Sequence, residues 1–264
     1  MVFAASLFSS VLLATTAFAA PRGSGLSARV AGRRSGLRQA SNGPSTLTAS
    51  TDISHVEYSS NWAGASWESA AGTYKTVTGT FVVPTPSAPS GGSGSYAASA
   101  WVGIDGDTCD TGILQTGVDF TIDNGRTSYD AWYEFYPAAS IDFSGLTVAA
   151  GDTITASVTA TSDTAGTATI TNETTGKTVT ISVSSSAKLC GENAEWIVED
   201  FEEGDSLVPF ADFGTVTFTG AVATTSAGAT VGPSGAVVID IESEAGKVLT
   251  SVSTTSDSVT ITYV

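Results

Sequence analysis

Seven acids crowd the stretch between Gly191 and Ser206: Glu192, Glu195, Glu199, Asp200, Glu202, Glu203 and Asp205. Most of such a run belongs to a solvated strand end and turn. Trp196, Ile197, Val198 and Phe201 surround Glu199, however, so at least one carboxyl there is partly desolvated. Desolvation raises a carboxyl pKa and equips the group to exchange protons with a substrate. The run alone selects no single glutamate.

Other chemistries are removed by composition. His55 is the only histidine and precedes the acidic part of the chain. Ser-His-Asp and Cys-His catalysis need imidazole as the base, and histidine-built zinc sites need it as a ligand. A Ser-Lys arrangement fails in acid, where lysine stays charged. Asp110-Thr111-Gly112 has the form of the D-T-G loop of pepsin-like aspartic peptidases, in which two aspartates share one proton. Its nearest counterpart, Asp212-Phe213-Gly214, lacks the central hydroxyl residue, and a turn anchored at Cys109 explains Asp110 better. Asp105-Gly106-Asp107 opens like a calcium loop but lacks the later ligands, so it reads as a turn. Carboxylates and amides remain, and no metal or cofactor is expected.

The elements that carry them read as strands. Period-two segments bounded by breakers predict strands over Tyr74–Val83, Ala98–Ile104, Ile113–Phe120, Asp130–Tyr136, Thr153–Ala160 and Ala194–Phe201. Further ones are expected over Gly214–Thr219, Ala236–Glu242, Val248–Val252 and Ser258–Tyr263. Without a convincing amphipathic helix, the expectation is all-β, a sandwich or a barrel. Alternate residues of a strand share a face. Trp101, Gly103 and Asp105 therefore align, as do Gln115, Gly117 and Asp119. So do Asp130, Trp132, Glu134 and Tyr136, and likewise Glu195, Ile197, Glu199 and Phe201. A solvated face carries Lys, Thr and Ser and seldom Trp; four faces mixing aromatics with carboxylates or amides are expected to line a cleft.

The chain begins with an apolar run ending in Ala17-Phe18-Ala19, the small-x-small pattern of a signal-peptidase site, so residues 1–19 read as a signal peptide and the protein as secreted, not membrane-bound. Residues 20–55 hold Arg22, Arg29, Arg33, Arg34 and Arg38 against the single acid Asp52. From Val56 onward the balance reverses, with 25 acids against Lys75, Arg126, Lys177, Lys188 and Lys247. A basic tract ahead of an acidic domain suggests a pro-segment that shields it, and so acidic a domain repels nucleic acid and anionic membranes. Residues 56–264 suffice for one domain, expected to be monomeric. Cys109 and Cys190 are the only cysteines, and in an exported protein such a pair usually forms one disulfide, contributing about 4–5 kcal/mol for so long a loop. Asn172-Glu173-Thr174 is a glycosylation sequon, a pattern that often arises by chance.

Four strings in order resemble the eqolisins, the glutamic peptidases of fungi. They are Trp101-Val102-Gly103-Ile104-Asp105-Gly106-Asp107-Thr108-Cys109, Ile113-Leu114-Gln115-Thr116-Gly117-Val118-Asp119-Phe120, Tyr129-Asp130-Ala131-Trp132-Tyr133-Glu134, and Ala194-Glu195-Trp196-Ile197-Val198-Glu199-Asp200-Phe201. The match extends from Tyr58-Ser59-Ser60-Asn61-Trp62 to the C-terminus. The resemblance implies a lectin-like sandwich of two curved antiparallel sheets with substrate across the concave side. It also implies an acid endopeptidase, insensitive to pepstatin, with Gln115 and Glu199 catalytic and Trp62, Asp105, Asp119, Asp130, Trp132 and Glu134 in the cleft or supporting it. Cys109 and Cys190 fall where a member of the family is bridged. Two departures stand out: Asp110-Thr111-Gly112 replaces a different tripeptide after the cysteine, and the chain lacks a charged insert that is excised in one member. A single mature chain starting near Val56 or Glu57 is therefore expected.

The mechanism this implies is direct attack by water on the peptide carbonyl. Glu199 would handle the protons, and the Gln115 amide, which never titrates, would donate to the oxyanion and orient the water. The pro-segment would be the chain's own inhibitor, its arginines holding acidic groups while those are ionised. The competing reading is a carbohydrate-binding or glycoside-hydrolase sandwich, since tryptophans beside paired carboxylates suit sugars as well.

Overall fold

The computed structural model describes residues 33–41, 56–90, 92–204 and 206–264, so the expected signal peptide and most of the expected pro-segment lie outside it. The described residues form strands and turns, with no helix among them. In chain order the strands are β1 (Arg33–Arg34), β2 (Val56–Ser59), β3 (Trp62–Glu68), β4 (Tyr74–Val82), β5 (Ser95–Ile104), β6 (Ile113–Asp123) and β7 (Arg126–Tyr136). Next come β8 (Ile141–Asp142), β9 (Thr153–Ser162), β10 (Ala165–Asn172), β11 (Lys177–Ser184), β12 (Asn193–Glu199), β13 (Glu202–Glu203) and β14 (Ser206–Leu207). The last are β15 (Thr215–Thr225), β16 (Thr230–Val231), β17 (Val237–Ile241), β18 (Thr250–Thr254) and β19 (Ser258–Tyr263).

Two eight-stranded sheets make the sandwich. One runs β2-β17-β3-β12-β5-β6-β7-β8, and the other β11-β10-β9-β4-β15-β19-β18 with β16 beside β15. Pairing is antiparallel except for β2, which lies parallel to β17. A small third sheet, β1-β13-β14, joins segment 33–41 to the turn after β12.

Side-chain alternation assigns each residue its layer. Ala98, Ala100, Val102 and Ile104 of β5, Leu114, Val118 and Phe120 of β6, and Ala194, Trp196 and Val198 of β12 enter the core between the sheets. Phe81, Ile154, Val158, Ile170, Phe218 and Ile261 meet them from the second sheet. Each Val, Leu, Ile or Phe among them contributes about 1.5–3 kcal/mol by leaving water. Trp196 ties the layers together, its indole N–H donating to the Thr78 carbonyl at 2.8 Å. The second sheet's outer face is a ladder of hydroxyl pairs, such as Thr78 with Ser157 at 2.8 Å and Thr80 with Thr155 at 2.9 Å. That accounts for the threonine content of these strands.

Some sequence expectations shift. The strand expected to run through Phe201 ends at Glu199, where the Asp200 N–H turns aside to the Asn61 carbonyl. Asn172 is wholly buried; its amide nitrogen donates to the Thr147 carbonyl and to Asp152, so the sequon offers no accessible acceptor in the folded protein. Cys109 and Cys190 are bonded. The Asp110-Thr111-Gly112 turn is held beside that bridge, with Thr111 donating to the Lys188 carbonyl at 2.5 Å and Asp110 left exposed.

Candidate active site

The opposite parity of the first sheet faces away from the core, and there the strand registers align the chemistry in rows. Across β3, β12, β5, β6 and β7, one row reads Ser66, Glu195, Gly103, Gln115, Glu134. The next reads Gly64, Ile197, Trp101, Gly117, Trp132, and the third Trp62, Glu199, Ser99, Asp119, Asp130. Trp62, Trp101 and Trp132 form their own apolar cluster with Ile113, Ile197 and Ile239. Two glycines make room for the central indole: a Cβ on Gly103 would lie 2.7 Å from the Trp101 ring, and one on Gly117 2.4 Å from its Cβ.

Trp101 stands edge-on to Trp62, with ring centroids 4.9 Å apart, and its indole N–H donates to Glu199 Oε2 at 2.9 Å. The Trp132 indole donates to Ser99 Oγ at 3.2 Å. Gln115 is fully buried, and neither its amide nitrogen nor its oxygen has a protein partner. Directly opposite pairs on one face bring their Cβ atoms within about 5 Å, which puts Gln115 beside Glu134.

Segment 33–41 lies across these rows. Arg33 stacks 3.6 Å from the Trp132 ring centre and 4.8 Å from that of Phe201. Its Nε donates to Asp119 at 2.5 Å, Nη1 to Glu134 at 3.4 Å, and Nη2 to Ser99 at 3.2 Å. The Ser35 N–H then points to Glu134 Oε2 at 3.3 Å, and the Gly36 N–H to Glu199 Oε1 at 3.0 Å. Consecutive amides thus bridge two carboxyls. Farther along, the Asn61 amide donates to the Leu37 carbonyl and accepts from the Gln39 N–H. Arg38 pairs with Asp107 at 2.9 Å and with Glu57 at 2.6 Å.

Burial sets the protonation of this face. It pushes Glu199 up to about 7, against the opposing pull of Arg33, Ser35, the Gly36 N–H and the Trp101 N–H. Glu134 rises to about 8 through burial, against Arg33 and with the Glu199 charge adding to the rise. Burial raises Asp119 despite Arg33, and takes Asp200 to about 8 with Glu199 contributing. Glu195, wholly buried with neither oxygen partnered, lies well above its ordinary value through burial and then the charges of Asp105 and Asp107.

Most of the residues singled out from the sequence lie on this face. Gln115, Glu199, Trp62, Asp119, Trp132 and Glu134 come together, and Asp130 joins at the edge, half-buried and raised to about 6 by burial and then Asp142 and Asp119. Asp105 does not face the cleft. At φ 72 it turns its carboxylate onto the N–H groups of Gly191, Glu192 and Asn193, at 2.8–3.2 Å, and anchors the loop that carries Cys190. Among the described residues of the acidic run three carboxyls are buried, Glu195, Glu199 and Asp200. Ser99, Trp101 and Phe201 received no role from the sequence; the parity that put Trp101 and Phe201 on cleft-facing sets was the signal available. Among the described residues no group of His, Cys, Asp and Glu could hold a metal ion.

Comparison with known proteins matches this architecture. The profile of the Peptidase A4 family covers residues 60–263. Aspergillopepsin-2 of Aspergillus niger is 51% identical over 98% of this chain and 99% of its own. Scytalidopepsin B of Scytalidium lignicola is 46% identical over 79% of each. The crystal structure of scytalido-glutamic peptidase with a transition state analog inhibitor superposes with a TM-score of 0.71 at 46% identity, covering 78% of this chain and 98% of that one. The chain belongs to the peptidase A4 family, the eqolisins.

Proposed function

We propose that the protein is a secreted endopeptidase of acidic media in which Glu199 and Gln115 hydrolyse peptide bonds without a covalent intermediate. The observation that carries this reading is a peptide segment of the chain itself laid over Glu134 and Glu199, on a face where Gln115, paired opposite Glu134, has an amide with no protein partner. Water bonds to the carbonyl carbon as Glu199 takes its proton. The Gln115 NH2 donates to the developing oxyanion, a site where a non-titrating donor is worth most because the surroundings are buried. Glu199 then returns the proton to the leaving amine. Burial is the largest cause of the raised Glu199 value, and part of that burial is segment 33–41 itself. With the segment gone, the carboxyl meets water, which favours the charged form a base needs, while the contacts of Arg33, Ser35 and the Gly36 N–H are lost with it.

Residues 1–19 serve export, residues 20–55 are the pro-segment, and residues 56–264 are the mature, monomeric enzyme. Arg33 and Arg38 hold the pro-segment over the cleft while the carboxyls there are charged, and protonation frees it. Incubating the acid-treated protein with an unfolded protein and with polysaccharides tests the activity. Release of peptides in the presence of pepstatin, lost in Glu199→Gln, is the expected result; release of sugars alone would refute it.

A further inference from the structure

Segment 33–41 is held on both sides of residues 34–36. On the N-terminal side Arg33 is sunk among Asp119, Glu134, Ser99, Trp132 and Phe201, only 2% exposed. On the C-terminal side Arg38 is tied by Asp107 and Glu57, and its own N–H donates to the Gly106 carbonyl at 2.9 Å. Asn61 grips the carbonyl of Leu37 and the N–H of Gln39. A chain clamped in this way cannot slide, so the link between the clamps has a fixed address. Within that link the bond that meets Glu199 is Ser35–Gly36. Its nitrogen lies 3.0 Å from Glu199 Oε1, the distance over which a carboxyl passes a proton to a leaving amine. Gly36 presents no side chain to obstruct approach, and a Cβ there would meet nothing nearer than Asn61 Nδ2 at 3.7 Å.

We infer that Ser35–Gly36 is a self-cleavage site, the first bond the protein cuts in its own maturation, by an intramolecular reaction. The inference rests on the peptidase reading given above and adds to it the identity of a substrate bond. Glu199, protonated in acid while the segment covers it, gives its proton to the Gly36 nitrogen as the bond from the Ser35 carbonyl carbon breaks, and the water whose oxygen bonds to that carbon gives Glu199 a proton in return. Ser35 is left with a carboxyl group and Gly36 with an amino group. The cut separates the Arg33 clamp from the Arg38 clamp, so two tethered halves replace one continuous strap, and each leaves on its own.

The full secreted chain, brought to acid and quenched at intervals, is read by intact mass and N-terminal sequencing. The earliest new N-terminus is expected at Gly36, with a half-time unchanged over a tenfold range of protein concentration. In Gly36→Pro, which lacks the N–H that meets Glu199, this cut slows by more than 100-fold. A first cut elsewhere, or a rate that rises in proportion to concentration, overturns the inference. Should Gly36→Pro not be secreted, the peptide spanning Arg33 to Ser41 is offered to the acid-matured protein. Scission between its Ser35 and Gly36 is expected, and scission elsewhere or none overturns the assignment. A preparation that digests unfolded protein without ever cutting Ser35–Gly36 sinks this inference alone; one that does neither sinks the peptidase reading beneath it.

Discussion

Glu199 accepts from the Trp101 indole on one oxygen and from the Gly36 amide on the other, and both contacts favour its charged form. Trp101→Phe keeps the ring that packs on Trp62 but removes one of these donors, so the Glu199 pKa must rise. A hydrogen bond to a charged group is worth about 1.5–3 kcal/mol, hence about one unit or more. The acid limb of kcat/KM against pH is expected to move upward by that amount; an unmoved limb would separate Trp101 from the proton chemistry. Gln115→Ala should keep the fold and lose roughly 10²–10³ in turnover, the scale of a missing oxyanion donor. Retained turnover in that variant would take Gln115 out of the mechanism. At this scale the sequence was only half legible. Parity placed Gln115 with Asp119, and Glu195 with Glu199, but burial could not choose between the two glutamates, because both prove wholly buried. The family strings made that choice.

Among the elements, local pattern and long-range pairing part company. The alternation in β5, β6 and β7 was readable because those strands are consecutive antiparallel neighbours, β6 and β7 being joined by the two-residue turn Asn124-Gly125. β12 is different. It inserts between β3 and β5 from far along the chain, and no local pattern announces that Glu199 will face Ser99 and Trp62. Where segment 33–41 docks was equally hidden, since its arginines lack a hydrophobic period and find their partners only on the assembled face. The two clamps of that segment differ in kind. Arg33 lies between two buried carboxyls, Asp119 and Glu134, whereas Arg38 has one, Asp107, and a second partner, Glu57, that is 46% exposed and open to screening. A peptide covering residues 33–41, added to mature enzyme near neutral pH, should therefore lose more inhibition from Arg33→Ala than from Arg38→Ala. Truncating a buried charge partner costs about 2–5 kcal/mol, so the first change weakens inhibition by at least about 30-fold. Salt should relieve the Glu57 part of the Arg38 share and leave the Arg33 share in place. Equal losses from the two variants would mean that the stacked, buried clamp is not the anchor.

Over the whole molecule, burial has lifted one carboxyl after another. Glu134 and Asp200 titrate at about 8, Glu199 at about 7, Asp130 and Asp240 at about 6, and Glu195 well above its ordinary value. In each case the folded pKa exceeds the unfolded one, so between about pH 4 and pH 8 the native state binds more protons than the unfolded chain. Stability must then be fullest below about pH 4 and drain away as pH rises through those folded values, the reverse of ordinary acid denaturation. The formal charge of −16 at neutrality adds self-repulsion in the same direction. Thermal unfolding of the mature protein followed from pH 3.5 to 8 should show a midpoint that falls with pH, because Glu195, Asp130 and Asp240 owe their raised values to burial and to neighbours within residues 56–264 rather than to segment 33–41. Glu195 supplies the sharpest check, since it is buried with both oxygens unpartnered and faces Asp105 and Asp107. Glu195→Gln removes its titration while keeping its shape, so the midpoint should change little at pH 4 and rise at pH 7.5. If the variant loses stability equally at both, Glu195 is held by partners in its charged form, and the inverted pH dependence has another source.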